Sequence, residues 1–147
     1  MKKSAIIAAV AGLCAATSAF ADGHGASGDA AAGERVFNQC VACHVVANDA
    51  GETLAGRNGR TGPNLYGVAG RPAASIEDFR YSPSITAAGE AGVVWTEEAF
   101  VAYVQDPTAF LKEATGDNRA RSAMAFRARN EDDAKNVYAY LASLAAQ

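Results

Sequence analysis

Groups able to bind a metal or to react are scarce in this chain. Its 147 residues include three cysteines, two histidines and two methionines, one of them the initiator. A structural zinc site takes four ligands, mostly Cys and His. Beyond Cys40, Cys43 and His44 the sequence offers no second Cys/His cluster to complete one. Basic residues are not in excess either, 13 against 16 acidic, which excludes a general nucleic-acid binder. Long apolar runs are missing as well. The one candidate, Ala5 to Ala16, falls short of the ~20 residues a membrane-spanning helix needs.

That short run sits in a segment with the layout of a secretory signal peptide. Lys2 and Lys3 form a charged start, the apolar run follows, and Ala19-Phe20-Ala21 is an A-x-A cleavage site. Met1 to Ala21 is therefore expected to be removed, together with Cys14, which follows Gly12-Leu13, a poor lipoprotein site. The mature chain would span residues 22–147 as one domain, with residues 22–27 a flexible leader that includes His24. Without Lys2 and Lys3, 11 of the 13 basic residues remain against 16 acidic ones, a formal charge of −5. No second hydrophobic span appears, so the mature form is expected to be soluble.

The chain is organised around Cys40-Val41-Ala42-Cys43-His44. A C-x-x-C-H run reads as a covalent attachment site for c-type haem. The two thiols form thioethers, and the adjacent imidazole is held where it can bind iron as the proximal ligand. The competing readings are a local disulfide, half of a zinc site and a thioredoxin-like redox pair, and no parallel-strand pattern precedes the motif as the last would require. With Cys14 removed, Cys40 and Cys43 are the only thiols left, so an oxidising compartment imposes no further disulfide framework.

The rest reads as all-α with long loops. Asp29 is a plausible N-cap for a helix over residues 29–39 that delivers Cys40, with Gly33 and Phe37 four apart on one face. A helix-interior glycine costs about 1 kcal/mol relative to alanine, which points to close approach of another helix there. Residues 45–61 are rich in Gly and Asn and read as loop, and residues 75–91 as turns carrying Phe79 and Tyr81. Thr96 caps a helix that begins with Glu97 and Glu98 and stops at Asp106-Pro107. Pro107 to Leu111 suits a short further helix, and Ala114 to Ala123 a polar loop. After Asn130 the stripe Ala134, Val137, Leu141, Leu144 has helical spacing.

Met124 is the only methionine besides the initiator, 80 residues beyond His44, in a loop between two predicted helices. A thioether is a good sixth ligand for low-spin haem iron. The alternative, a methionine filling a core gap, suits its surroundings poorly, because Arg119, Arg121, Arg127 and Arg129 flank it.

Taken together, these motifs resemble the class I c-type cytochromes, the family of mitochondrial cytochrome c, and most closely the longer bacterial cytochrome c2 group. The resemblance runs from Gly28 to the C-terminus. It rests on G-x-x-x-F before C-x-x-C-H, T-G-P-N-L-Y-G with G-R, a lone Trp before a helix, A-Y-V-Q-D-P, S-A-M-A-F and a final helix with A-Y-L. It implies a few helices and long loops wrapped around one haem c, with His44 and Met124 as axial ligands. It also implies that the Pro63 carbonyl accepts from His44 Nδ1–H, and that Arg71, Tyr81 and Trp95 face the haem propionates. Tyr103 and Ser122 would line the Met124 side, Phe126 the haem edge, and Gly33 and Phe37 would pack on Tyr140. Tyr66 stands where mitochondrial relatives carry a histidine, and extra residues lie between His44 and Thr61 and before Met124.

With both axial positions filled by protein, the expected function is one-electron transfer rather than enzymatic turnover. A soluble, monomeric periplasmic carrier would take electrons from a cytochrome bc1-type complex. It would pass them to a terminal oxidase, a photosynthetic reaction centre or a periplasmic reductase, with the four arginines forming a basic rim for docking. The rivals are a haem enzyme or small-gas binder with a displaceable sixth ligand, and a fixed subunit of a larger complex. The chain has no distal histidine for the first and no spare apolar stripe for the second.

Overall fold

A computed structural model of the chain describes residues 25–146, so the expected signal peptide lies outside the described residues, as do Cys14 and His24. Five helices follow in order: α1 Ala30–Phe37, α2 Pro83–Glu90, α3 Glu97–Gln105, α4 Pro107–Thr115 and α5 Glu131–Ala145. Side chains cap four of them as their chemistry requires. Asp29, Thr96, Asp106 and Asn130 each accept a backbone N–H three residues on, at 2.7–3.2 Å. No helix of the described residues is long and apolar enough to cross a membrane.

α1 and α5 cross at Gly33. A Cβ there would meet the backbone carbonyl of Asn136 and the Tyr140 side chain, so only glycine lets the helices approach this closely. One turn on, the Phe37 and Tyr140 rings lie 5.6 Å apart at 53°. The expected close approach at Gly33 is thus explained by this crossing. The stripe of α5 supplies much of the core, with Leu141 fully buried and Tyr138 at 1 % exposure. Tyr138 donates its hydroxyl to the Trp95 carbonyl at 3.1 Å, which ties α5 to the segment before α3.

Two segments read as irregular are in fact regular. Residues 45–61 contain a two-stranded antiparallel hairpin, β1 Val45–Ala47 and β2 Thr53–Gly56, with Val45 opposite Gly56. The β-branched Val45, Val46 and Thr53 favour it. The Asn48 carboxamide oxygen closes the turn by accepting from Ala50 and Glu52 N–H at 3.1 and 2.9 Å. In the segment 75–91, α2 starts on Pro83, whose fixed φ suits a first helical position, and buries Ile85 and Ala88. The short helix expected over 107–111 runs on to Thr115. The expected leader is anchored at its end, where Ser27 N–H donates to Glu97 Oε1 at 2.7 Å.

Candidate functional site

The end of α1 sets the geometry of the motif. Cys40 N–H bonds the Phe37 carbonyl at 2.8 Å, and Cys43 and His44 N–H both bond the Cys40 carbonyl, at 3.1 and 3.0 Å. This turn brings both thiols and the imidazole to the wall of one cavity of about 380 Å³, within the ~300–1,000 Å³ usual for ligand pockets. Cys40, Cys43, His44, Pro63, Arg71, Tyr81, Trp95, Tyr103, Met124 and Phe126 all line it. Of the expected site residues only Ser122 does not. It sits behind the wall, its Oγ accepting from Met124 N–H at 3.0 Å and lying 3.2 Å from the Tyr103 hydroxyl. Leu65, Val68, Ile85, Phe100 and Val137 also line the cavity, and sequence reading did not single them out for it. Helical spacing pointed Phe100 and Val137 inward, whereas Leu65, Val68 and Ile85 fall in stretches read as loop or turn, where only their apolar character did.

His44 is fixed from two sides. Its Nδ1 lies 2.8 Å from the Pro63 carbonyl, which can only accept, so Nδ1 carries the proton. Nε2 is then left with its lone pair. Gly62 packs flat against the ring, where any Cβ would overlap the imidazole. Burial pulls the His44 pKa down and the Pro63 bond partly opposes this, so the ring is a neutral donor.

Burial, with the neighbouring Cys43 adding to it, pushes the Cys40 thiol up to about 11. This is unlike the lowered value of the attacking thiol in a dithiol redox pair. Among the described residues, no three His, Cys, Asp or Glu side chains are grouped to hold a bare metal ion.

The polar lining is sparse. Arg71 donates to the Tyr66 and Asn64 carbonyls at 2.6 and 3.1 Å. Burial lowers its pKa, while nearby Tyr81 opposes that shift. Its guanidinium stays charged, a half-buried cation suited to an anionic group. Trp95 packs on Tyr103 with ring centroids 5.0 Å apart, and Phe110 stands 6.0 Å from Trp95. Burial raises the Tyr103 pKa against a smaller opposing effect of Ser122, so its hydroxyl stays protonated.

Two of the four arginines around Met124 are already paired. Arg119 Nε reaches Asp117 at 3.5 Å and Arg127 Nη1 reaches Asp106 at 3.1 Å. Arg121 instead donates to the Ala120 and Asn118 carbonyls at 2.8 and 3.4 Å.

An apolar cavity, two thiols at its wall, a neutral imidazole of fixed tautomer and a thioether fit a flat apolar macrocycle with an iron centre. These features define a protein built to carry one covalently attached haem in an α-helical shell. A family model described as cytochrome c matches residues 30–145. Cytochrome c2 of Rhodovulum adriaticum is 63 % identical over 118 residues, covering 80 % of this chain and 94 % of that protein. Cytochrome c2 of Rhodobacter capsulatus is 48 % identical over 146 residues and covers 98 % of both chains. The solved structure of cytochrome c2 from Rhodobacter sphaeroides superposes with a TM-score of 0.78 at 53 % identity, over 80 % of this chain and 96 % of that one. The chain belongs to the cytochrome c family, within its bacterial class I c2 group. Its cofactor is one haem c bound through Cys40 and Cys43, and it is an electron-transfer protein rather than an enzyme.

Proposed function

We propose that the mature chain is a soluble periplasmic one-electron carrier whose iron is held by His44 Nε2 and the Met124 sulfur. The observation that carries this reading is the pairing of a neutral, tautomer-fixed His44 with Met124, the one methionine available, on the wall of a single cavity. When bound, the haem supplies Fe(III)/Fe(II) exchange, and Met/His ligation raises its potential. The chain's own residues do the rest. Cys40 and Cys43 anchor, the Pro63 carbonyl orients His44, and the apolar wall excludes water. Arg71, Tyr81 and Trp95 would face the propionates, Phe126 would lie at the haem edge, and Tyr103 and Ser122 would support Met124.

The leader-like residues 1–21 and the match to cytochrome c2 of Rhodobacter capsulatus over 98 % of the chain support export to the periplasm. A cytochrome bc1-type complex is the proposed donor. The proposed acceptor is a terminal oxidase, a photosynthetic reaction centre or a periplasmic reductase. Arg121 and Arg129 are the rim cations proposed to steer an acidic partner.

The test is an optical spectrum of the haem-loaded protein beside Met124→Ala, followed by carbon monoxide added to the reduced form. The expected result is a weak sulfur-to-iron charge-transfer band in the ferric wild type that the substitution abolishes, with wild type inert to the gas. A missing band and ready gas binding would overturn the reading.

A further inference from the structure

Hydroxyls from two helices and from the loop itself hold the backbone of the Met124 loop. Arg121 N–H donates to Ser84 Oγ of α2 at 3.1 Å, and Ser122 N–H to Thr108 Oγ1 of α4 at 3.3 Å. Met124 N–H donates to Ser122 Oγ, which is itself 3.2 Å from the Tyr103 hydroxyl of α3. Ala120 and Ala128 make backbone-to-backbone bonds, to Asp117 and Val104, but between them no such bond occurs among the described residues. A segment held by side-chain hydroxyls opens locally at a free energy set by those few bonds, well below that of global unfolding.

We infer that Thr108 and Ser122, with a smaller share from Ser84, are positioning residues that hold the Met124 loop and so keep the sixth iron position closed to outside ligands. The inference rests on Met124 being the sixth ligand. The Thr108 and Ser122 bonds are half-buried, so removing either partner leaves an N–H poorly supplied with water. The Ser84 bond is exposed, and water replaces it at little cost. Ser122 makes two of the contacts and should matter most.

The experiment titrates the ferric holoprotein with imidazole, which competes with Met124, and follows loss of the sulfur charge-transfer band. Thr108→Val is expected to raise the apparent imidazole affinity about fivefold, Ser122→Ala about tenfold and Ser84→Ala less than about twofold. Thr108→Ser restores the hydroxyl and should return the wild-type affinity. Leu141→Ala is the control for a merely structural effect: Leu141 is fully buried in α5 and absent from the cavity wall, so the protein loses global stability while imidazole affinity stays unchanged. Equal affinity in wild type, Thr108→Val and Ser122→Ala would overturn the inference alone, as would an equal rise in Leu141→Ala. A wild type without the sulfur band would overturn the ligation, and the inference with it.

Discussion

On the His44 side of the cavity, backbone holds backbone. His44 N–H bonds Cys40, Gly62 N–H bonds Cys43 at 2.8 Å and Leu65 N–H bonds Val45 at 2.9 Å. The imidazole itself is oriented by a main-chain carbonyl. On the Met124 side, remote side chains do this work: Ser84, Thr108 and Ser122 receive the loop's N–H groups. The first arrangement depends mostly on main-chain bonds and close packing, with glycine required at position 62 and the Asn64 and Arg71 side chains bracing the segment that follows Pro63. The second depends on particular hydroxyls and tolerates change in shape. With the proposed ligation, an electron carrier would have use for both, a proximal ligand that cannot stray and a distal one held just firmly enough.

The sharpest break in that comparison comes at Gly62. A Cβ there would overlap the His44 ring, and the Gly62–Cys43 bond prevents the segment from backing away. Gly62→Ala is expected to cost about 3 kcal/mol or more in urea unfolding and to cut the yield of haem-loaded protein. A cost below about 1 kcal/mol would mean the proximal side is as yielding as the distal one.

Next in size is Asp106→Ala, on the Met124 side. It removes the cap on Ala109 N–H and the partner of Arg127. The cap accounts for most of an expected loss of ~1 kcal/mol, since the ion pair is largely exposed and contributes little. Smaller again is Pro63→Ala. The group His44 bonds is a carbonyl that alanine also carries, so only the proline's restriction of the unfolded chain is lost. That predicts ~0.4–1 kcal/mol in unfolding and an unchanged reduction potential. A shifted potential would show that the ring of Pro63, and not its carbonyl alone, orients His44.

The same contrast explains what could be read from the sequence. The proximal site is contiguous: C-x-x-C-H and Gly62-Pro63 lie within 24 residues, so motif and geometry coincide. The caps at Asp29, Thr96 and Asn130 are equally local and were legible. Met124, now seen on the cavity wall, was singled out by scarcity. Its supports at Ser84 and Thr108 were not, because a hydroxyl 40 or 16 residues away carries no periodic or motif signal. Helix α2 and the β1–β2 hairpin were hidden by Gly, Ser and Asn, which read as turn formers until tertiary packing overrides them. The pairing of Arg127 with Asp106, 21 residues earlier, was hidden too. Arginines in a loop look uniformly basic until the fold brings a distant acid to one of them.

That pairing yields the subtlest prediction. If an arginine rim steers an acidic partner, its strength is set by net local charge, and Asp106 cancels part of it through the 3.1 Å contact with Arg127. Asp106→Asn keeps a side-chain oxygen for the α4 cap, because asparagine caps as well as aspartate, and it frees one positive charge. The second-order rate constant with an acidic redox partner should rise by up to about twofold at low ionic strength, the gain fading as added salt shortens the screening length. Arg121→Gln should lower the same rate by a similar factor with the same salt dependence. Stopped-flow oxidation across a salt series distinguishes the cases. Opposite shifts that converge at high salt place docking on the Met124 side, and rates that ignore both substitutions move it elsewhere.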